Sequence, residues 1–239
     1  MTGALYLLPC PIAAASLDAA LPADVVAIAR RIEHFLAEDA KSARAFLKEI
    51  GHPRPMRELS IVEIGHEPRA ADIDDWLAPL ANGADMAIVS EAGCPGIADP
   101  GGTIVAAAHA RGLRVRPLVG PSSVLLALMA AGLQGQRFRF LGYLPVAADA
   151  RAAALKALER ESKARSETQV FIETPYRSAV AFHAALGVCA PSTRLAVAVD
   201  LMGANEFVAM LTVQQWNSRP SENQPPLLRQ PAVFCLLAT

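Results

Sequence analysis

Short apolar runs alternate with longer amphipathic stretches along the first half of the chain. The runs Ala4–Leu8, Ile32–Ala37, Leu59–Ile64, Met86–Val89 and Leu113–Leu118 have the length and composition of strands buried on both faces, or nearly so. Between them, Leu17–Ala29, Ala40–Ile50, Ala71–Leu80 and Thr103–Arg111 carry helical periodicity, and Gly112 is a helix stop. Regular alternation of strand and helix predicts an α/β layer around a mostly parallel sheet. After Gly120-Pro121 the pattern changes. Ser122–Ala131 reads as a helix closed by Gly132, Phe138–Leu144 as a strand, and Arg151–Lys163 as a charged surface helix. A strand at Thr168–Glu173, a helix at Tyr176–Leu186 and strands at Arg194–Asp200, Phe207–Thr212 and Ala232–Leu237 follow. Asn217–Gln230, polar and holding three prolines, reads as a surface loop. Consecutive strands with little helix between them predict a mixed second sheet. The expected architecture is two small α/β domains, residues 1–120 and 121–239.

Composition narrows the function classes. Of 239 residues, 53% are hydrophobic and 19% charged, enough apolar material for packed cores. Twenty-two basic against 23 acidic residues leave a net charge of −1, which excludes a polyelectrolyte-like nucleic-acid binder but not a local basic patch. Aromatics at 5% argue against a stacking platform for single strands. Cys10, Cys94, Cys189 and Cys235 are scattered, without a C-x-x-C pair, so buried reduced thiols and no metal are expected. The apolar start Ala4–Ala15 has no Lys or Arg before it and holds Pro9 and Pro11, so a buried strand is expected rather than a signal segment. Val119–Leu133 is too short and broken to span a bilayer, so no membrane partner is expected.

In open α/β sheets ligands bind beyond the carboxyl ends of the strands. The segment Ser90–Gly102 follows the fourth strand and carries Gly93, Gly96, Gly101 and Gly102 with Pro95 and Pro100, a backbone that can approach a ligand closely. It contains neither G-x-G-x-x-G nor G-K-[ST], so a phosphate cradle is disfavoured. Its carboxylates, Glu91 and Asp99, suit a zwitterionic or cationic ligand. Ser122 and Ser123 can cap the helix they open or leave its free N–H groups for a ligand carboxylate. Glu38 and Asp39 form either an acid–base pair or the cap of the following helix, with Lys41 and Arg44 projecting from its start. The five histidines form no triad pattern and read as structural or surface residues. Arg137, Arg139, Arg151, Lys156, Arg160, Lys163 and Arg165 cluster in the second half, as an RNA-facing patch or a solvated helix face.

The series L-Y-L-L-P-C-P-I (5–12), A-E-D-A-K-S-A-R (37–44), V-S-E-A-G-C-P-G-I-A-D-P-G (89–101), V-G-P-S-S (119–123), F-I-E-T-P-Y-R (171–177) and P-A-V-F (231–234) resembles the tetrapyrrole (corrin/porphyrin) methylase superfamily. The similarity is greatest to its small-subunit ribosomal RNA ribose 2′-O-methyltransferase branch. The resemblance implies S-adenosylmethionine (SAM) in a cleft between two α/β domains, a cytoplasmic homodimer, and ribosomal RNA as partner. Carried over by position, it places Pro11, Glu91, Ala92, Gly93, Cys94, Ile97, Ala98, Asp99, Ser122 and Ser123 on the cofactor. Glu173, Thr174, Leu201, Met202, Gly203, Pro231 and Ala232 would close around its adenosine end. Glu38, Asp39 and Lys41 are left to handle the methyl acceptor. Where that branch carries T-P-I-G-N, this chain has Cys10-Pro11-Ile12-Ala13-Ala14; E-D-T-R becomes Glu38-Asp39-Ala40-Lys41, and S-D-A-G-T-P becomes Ser90-Glu91-Ala92-Gly93-Cys94-Pro95. The alternatives are a methyltransferase of a tetrapyrrole-like or other small molecule, and a SAM-binding paralogue without catalysis.

Overall fold

The structure, a computed structural model, describes residues 3–13 and 17–239. The chain divides into two compact units, Met1–Ser122 and Ser123–Thr239.

The first unit holds a sheet of β1 (Ala4–Leu8), β2 (His34–Ala37), β3 (Ser60–Glu63), β4 (Met86–Val89) and β5 (Arg114–Pro117), in the order β3-β2-β4-β1-β5 and parallel throughout. Alternate residues of β1 serve two cores. Ala4, Tyr6 and Leu8 pack with Leu21, Val25 and Ala29, and with Phe46 and Leu47, which belong to α2 (Ala23–Ala29) and α3 (Ala40–Glu49) or precede them. Leu5 points the other way with Leu36, Met86 and Ile88, against Ile73, Leu77 and Leu80 of α4 (Ile73–Ala81) and Ile104 and Ala108 of α5 (Gly102–Ala110). β4, bonded on both sides, is buried throughout. The edge strands depart from expectation: Arg114, Arg116 and Pro117 of β5 and Ser60 and Glu63 of β3 are exposed. Pro117 is tolerated there because one side of an edge strand carries no ladder bonds. The single helix expected over Leu17–Ala29 is two, α1 (Leu17–Ala20) and α2. Pro22 sits extended between them, and its missing N–H ends one helix and starts the next.

The second unit holds β6 (Phe138–Tyr143), β7 (Thr168–Glu173), β8 (Arg194–Val199), β9 (Phe207–Thr212) and β10 (Ala232–Leu237), in the order β6-β7-β10-β8-β9. β6 and β7 run parallel and every other pair antiparallel, the mixed sheet expected. The pleat again sorts the core. Phe171, Val197, Phe234 and Leu236 face α7 (Ala148–Arg165), α8 (Ser178–Val188) and α9 (Val213–Ser218). Val170, Ala196, Ala198, Val233 and Cys235 face α6 (Ser123–Ala131), whose Val124, Ala127, Leu128 and Ala131 close that side. The polar stretch 217–230 is not wholly a surface loop. It begins inside α9, continues through a 3-10 turn at Ser221–Asn223, and buries Leu227 in the core. A Thr212–Gln215 capping box starts α9 and buries Trp216, whose Nε1 donates to the Leu195 carbonyl at 2.8 Å. Among the described residues no helix is long and apolar enough to cross a membrane.

Candidate functional site

The helices following β1 and β4 leave on opposite faces of the first sheet, and the two strands are neighbours. That makes the β1/β4 boundary a topological switch point, where diverging connections open a crevice beyond the strands. Two loops meet there. Cys10 N–H donates to the Gly93 carbonyl at 2.9 Å, and Gly93 N–H returns to the Cys10 carbonyl at 3.0 Å. The Cys94 thiol donates to the Pro121 carbonyl at 3.3 Å, drawing in the segment after β5. The first unit therefore gathers Pro11, Glu91, Ala92, Gly93, Cys94, Ile97, Ala98 and Asp99 at the carboxyl edge of its sheet. Ser122 follows Pro121 directly, and Ser123 is the first residue of α6.

The Ser90–Gly102 loop is held in backbone conformations that side chains disfavour. Gly93 has φ +72°, Gly96 +80°, Gly101 +126°, and Ala98, which has a Cβ, +64°. The left-handed angle at Ala98 stores backbone strain of about 1–2 kcal/mol. Ile97 stands out from the loop with its side chain half exposed.

Negative charge accumulates at this edge. Glu38 is buried, accepts the Glu91 backbone N–H at 3.4 Å, and pairs through Oε1 with His66 Nδ1 at 2.7 Å. Glu91 accepts the Ser42 hydroxyl at 3.1 Å. The Asp99 carboxyl is pushed up to about 6 by burial first and then by the Glu38 charge, with Glu91 adding to it and a Ser90 hydrogen bond and His66 opposing. Asp39 plays a different part. Its Oδ1 accepts the Ser42 backbone N–H at 2.6 Å as the cap of α3, and that bond holds its carboxyl below the usual range. Of the two uses open to Glu38-Asp39, Asp39 caps the helix, while Glu38 turns toward His66. Lys41 is exposed on the first turn of α3. Glu63, at the end of β3, also serves that helix start by accepting the Ala40 N–H at 3.1 Å. His66 was legible only as a surface histidine; its position just past the carboxyl end of β3 is the signal that marks it. The Cys10 thiol is pushed up to about 12 by burial, and Cys94 is raised for the same reason, so neither is a ready nucleophile. Among the described residues, no group of three or more His, Cys, Asp or Glu side chains is arranged to hold a metal ion.

The second unit brings its own set together at one end of its sheet. Ala232 pairs with Glu173 on one side and Val199 on the other, and Asp200 N–H donates to the Pro231 carbonyl at 3.3 Å. Glu173-Thr174, Leu201-Met202-Gly203 and Pro231-Ala232 are thus neighbours. Asp200 and Met202 both have positive φ, and Met202 N–H donates to Glu206 at 2.7 Å, which fixes the turn. Glu173 is buried and pairs with Arg177 at 2.9 Å. At the same end Tyr143 and Tyr176 are exposed, Tyr176 by 86%, and the Arg177 guanidinium lies 5.8 Å from the Tyr143 ring centre. Ser178 Oγ donates to the Gln230 carbonyl at 2.9 Å, which brings exposed Leu228 and Arg229 beside them. The cations Lys156, Arg160, Lys163 and Arg165 are exposed along α7, and Arg139 is paired with Glu161 at 2.5 Å.

Proteins named ribosomal RNA small subunit methyltransferase I align with the chain over much of its length. The Xylella fastidiosa protein is 37% identical over 157 residues, covering 64% of this chain and 52% of that protein. The Escherichia coli O157:H7 protein is 33% identical, covering 73% and 57%, and the Mesorhizobium japonicum protein 33% identical, covering 83% and 63%. The chain is therefore similar to the ribosomal RNA small subunit methyltransferase I proteins over 64–83% of its own length. It spans between about half and two thirds of the length of these relatives. No family model matches it. Among solved structures, uroporphyrin-III-C-methyltransferase from Thermus thermophilus superposes with a TM-score of 0.55 at 18% identity, covering 99% of this chain and 93% of that one. At that identity the likeness is one of fold alone.

Proposed function

We propose that this protein is a SAM-dependent methyltransferase acting on a ribose 2′-hydroxyl of ribosomal RNA, as a homodimer in the cytoplasm. The observation that carries the cofactor assignment is the charge of the strand-end loop. Asp99 is crowded by Glu38 and Glu91, with His66 opposing them, so a ligand that brings positive charge relieves the site and a polyphosphate aggravates it. The left-handed Gly93, Gly96 and Gly101 keep side chains out of the approach. Bound there, SAM supplies an electrophilic methyl group on a sulfonium, together with an ammonium that Glu91 and Asp99 are suited to meet. Pro11, Ala92, Cys94, Ile97, Ala98, Ser122 and Ser123 complete the amino-acid side. Glu173, Thr174, Leu201, Met202, Gly203, Pro231 and Ala232 are assigned to the adenosine portion.

The names of the relatives support RNA as acceptor, and so do exposed Tyr176 and Arg229, a ring and a cation brought to one end of the second sheet. The low overall aromatic content does not forbid this, because stacking needs only one or two rings where the strand lies. Titration calorimetry with SAM is expected to show saturable binding to the purified protein. Mass mapping of small-subunit ribosomal RNA from a deletion strain and its parent is expected to show one ribose methyl missing from the former. Identical RNA from the two strains refutes the RNA assignment. The Cys10–Ala13 loop, which departs from the branch pattern, favours a small-molecule acceptor as the second reading, and SAM binding without any RNA difference is its signature.

A further inference from the structure

We propose that His66 is the general base of the methyl transfer and that Glu38 positions it. The inference rests on the reading of the protein as a hydroxyl methyltransferase. A sugar hydroxyl is a weak nucleophile, and its proton must leave as the new bond forms. The structure places an exposed imidazole on a buried carboxylate at the strand edge where the donor is assigned. His66 Nδ1 lies 2.7 Å from Glu38 Oε1; the histidine side chain is 84% exposed and the carboxylate only 8%. A neutral imidazole that donates its Nδ1 proton to a carboxylate carries its lone pair on Nε2, and Glu38 thereby fixes both tautomer and ring direction. Glu38 is itself fixed by the Glu91 N–H at the head of the Ser90–Gly102 loop, so base and donor loop share one anchor.

The step balances without a further reactant. The hydroxyl oxygen forms the O–CH3 bond as the S–CH3 bond breaks, and that bonding pair stays on sulfur. The hydroxyl proton passes to Nε2 of His66 and from the exposed imidazolium to water. Asp39 is spent on the α3 cap and is no rival for this role. The charged groups known to act with the imidazole are Glu38, in direct contact from the end of β2, and Asp99 from the loop after β4; Glu63, Glu67 and Arg69 are its neighbours in sequence.

The test uses the full-length protein, labelled SAM and small ribosomal subunits from the deletion strain. His66→Gln keeps a polar side chain of similar reach. It is expected to lower kcat at saturating SAM by about 10²-fold or more with the dissociation constant for RNA unchanged. Glu38→Gln keeps a hydrogen-bond acceptor for Nδ1–H and is expected to retain part of the rate. His66→Ala, a truncation at an exposed site, is expected to regain rate in imidazole buffer, a rescue that a purely structural role does not give. Wild-type kcat in His66→Gln, or an effect confined to SAM affinity, overturns the base assignment while leaving the RNA reading intact. A wild-type protein that binds SAM but leaves the subunits unmethylated overturns the RNA reading and the base with it.

Discussion

Replacing Gly93 by valine separates the geometry of the loop from the stability of the fold. Gly93 has φ +72° and is buried, and both of its backbone groups bond to Cys10. A Cβ added there would meet Ile12 Cγ2 at 3.4 Å and the Pro121 carbonyl oxygen at 3.5 Å, which is ordinary contact. The penalty therefore lies in the backbone. An L-residue in the left-handed region costs about 1–2 kcal/mol, and Gly93→Ala should lose that much stability and little else. Valine adds a second branch at a dihedral that β-branched residues avoid. The chain is expected to relax by giving up the Cys10 bridge, worth about 1 kcal/mol net per hydrogen bond, for a total of roughly 2–3 kcal/mol. A domain with about 5–15 kcal/mol of stability survives that loss. SAM binding is not expected to survive it, because Glu91, two residues away, and Asp99 are aimed by the same loop. The prediction is a folded Gly93→Val protein whose SAM affinity is weaker by about 100-fold or more, equivalent to ~2.7 kcal/mol. Thermal melts and calorimetry on the same sample read both quantities. If Gly93 merely shapes a turn, stability drops while affinity holds in the folded fraction, and that result would falsify the placement of the cofactor on this loop.

Asp99 should make SAM binding pH-dependent: its carboxyl, pushed up to about 6, must ionise to meet a cation, so affinity is expected to rise as pH increases through 6. Stability runs the other way. Between about pH 4 and 6 the unfolded chain has released the Asp99 proton that the folded chain keeps, so stability falls as pH rises through that window. Asp99→Asn should flatten both curves in calorimetry and in melts, and a SAM affinity independent of pH in the wild type would count against the assignment. Trp216→Ala should destabilise by about 3–5 kcal/mol, since the indole is fully buried, packs edge-on against Phe182 at 5.3 Å and donates to Leu195; chemical denaturation reads it, and a loss below about 1 kcal/mol would be at odds with this packing. Tyr176→Ala should weaken binding of single-stranded RNA by about 1–3 kcal/mol without altering the melt or SAM affinity; unchanged binding in a filter assay would remove the stacking role.

Strand and helix alternation was readable because the pleat and the 3.6-residue period leave marks in any apolar pattern. Ala4–Leu8, Met86–Val89, Thr168–Glu173, Phe207–Thr212 and Ala232–Leu237 have in the structure the ends that the pattern predicts. The misreadings arose where burial depends on strand order. Arg114–Pro117 resembles an inner strand until the order β3-β2-β4-β1-β5 puts it at an edge, where Arg114 and Arg116 reach solvent at no cost. The stretch 217–230 resembles a loop because its prolines and polar residues outnumber the two apolar side chains that matter, Trp216 just before it and Leu227 within it. Those two are buried by strands distant in the chain, and no local period reports that.

The site divides along the same line. Its backbone was legible: the glycines spaced along Ser90–Gly102 mark positions that need unusual dihedrals, and Gly93, Gly96 and Gly101 adopt left-handed angles. The division of labour between side chains was not. Glu38 and Asp39 are adjacent acids after one strand, and nothing local separates them. Their neighbours in space do. Ser42 offers a free amide one helical turn on, which takes Asp39 as a cap, and Glu38, on the next position of an extended chain, points away from it toward β3 and finds His66. A carboxylate and a histidine 28 positions apart become a pair only because β2 and β3 run parallel in register, His34 opposite Ser60 and Ala37 opposite Glu63, so that both strands end at the same edge. Parallel sheets therefore hide their chemistry from sequence in a particular way: the reacting groups are separated by a whole crossover, and what joins them is the common carboxyl end. Reading the residues just past every strand, the edge strands included, recovers the pair that reading one motif at a time omits.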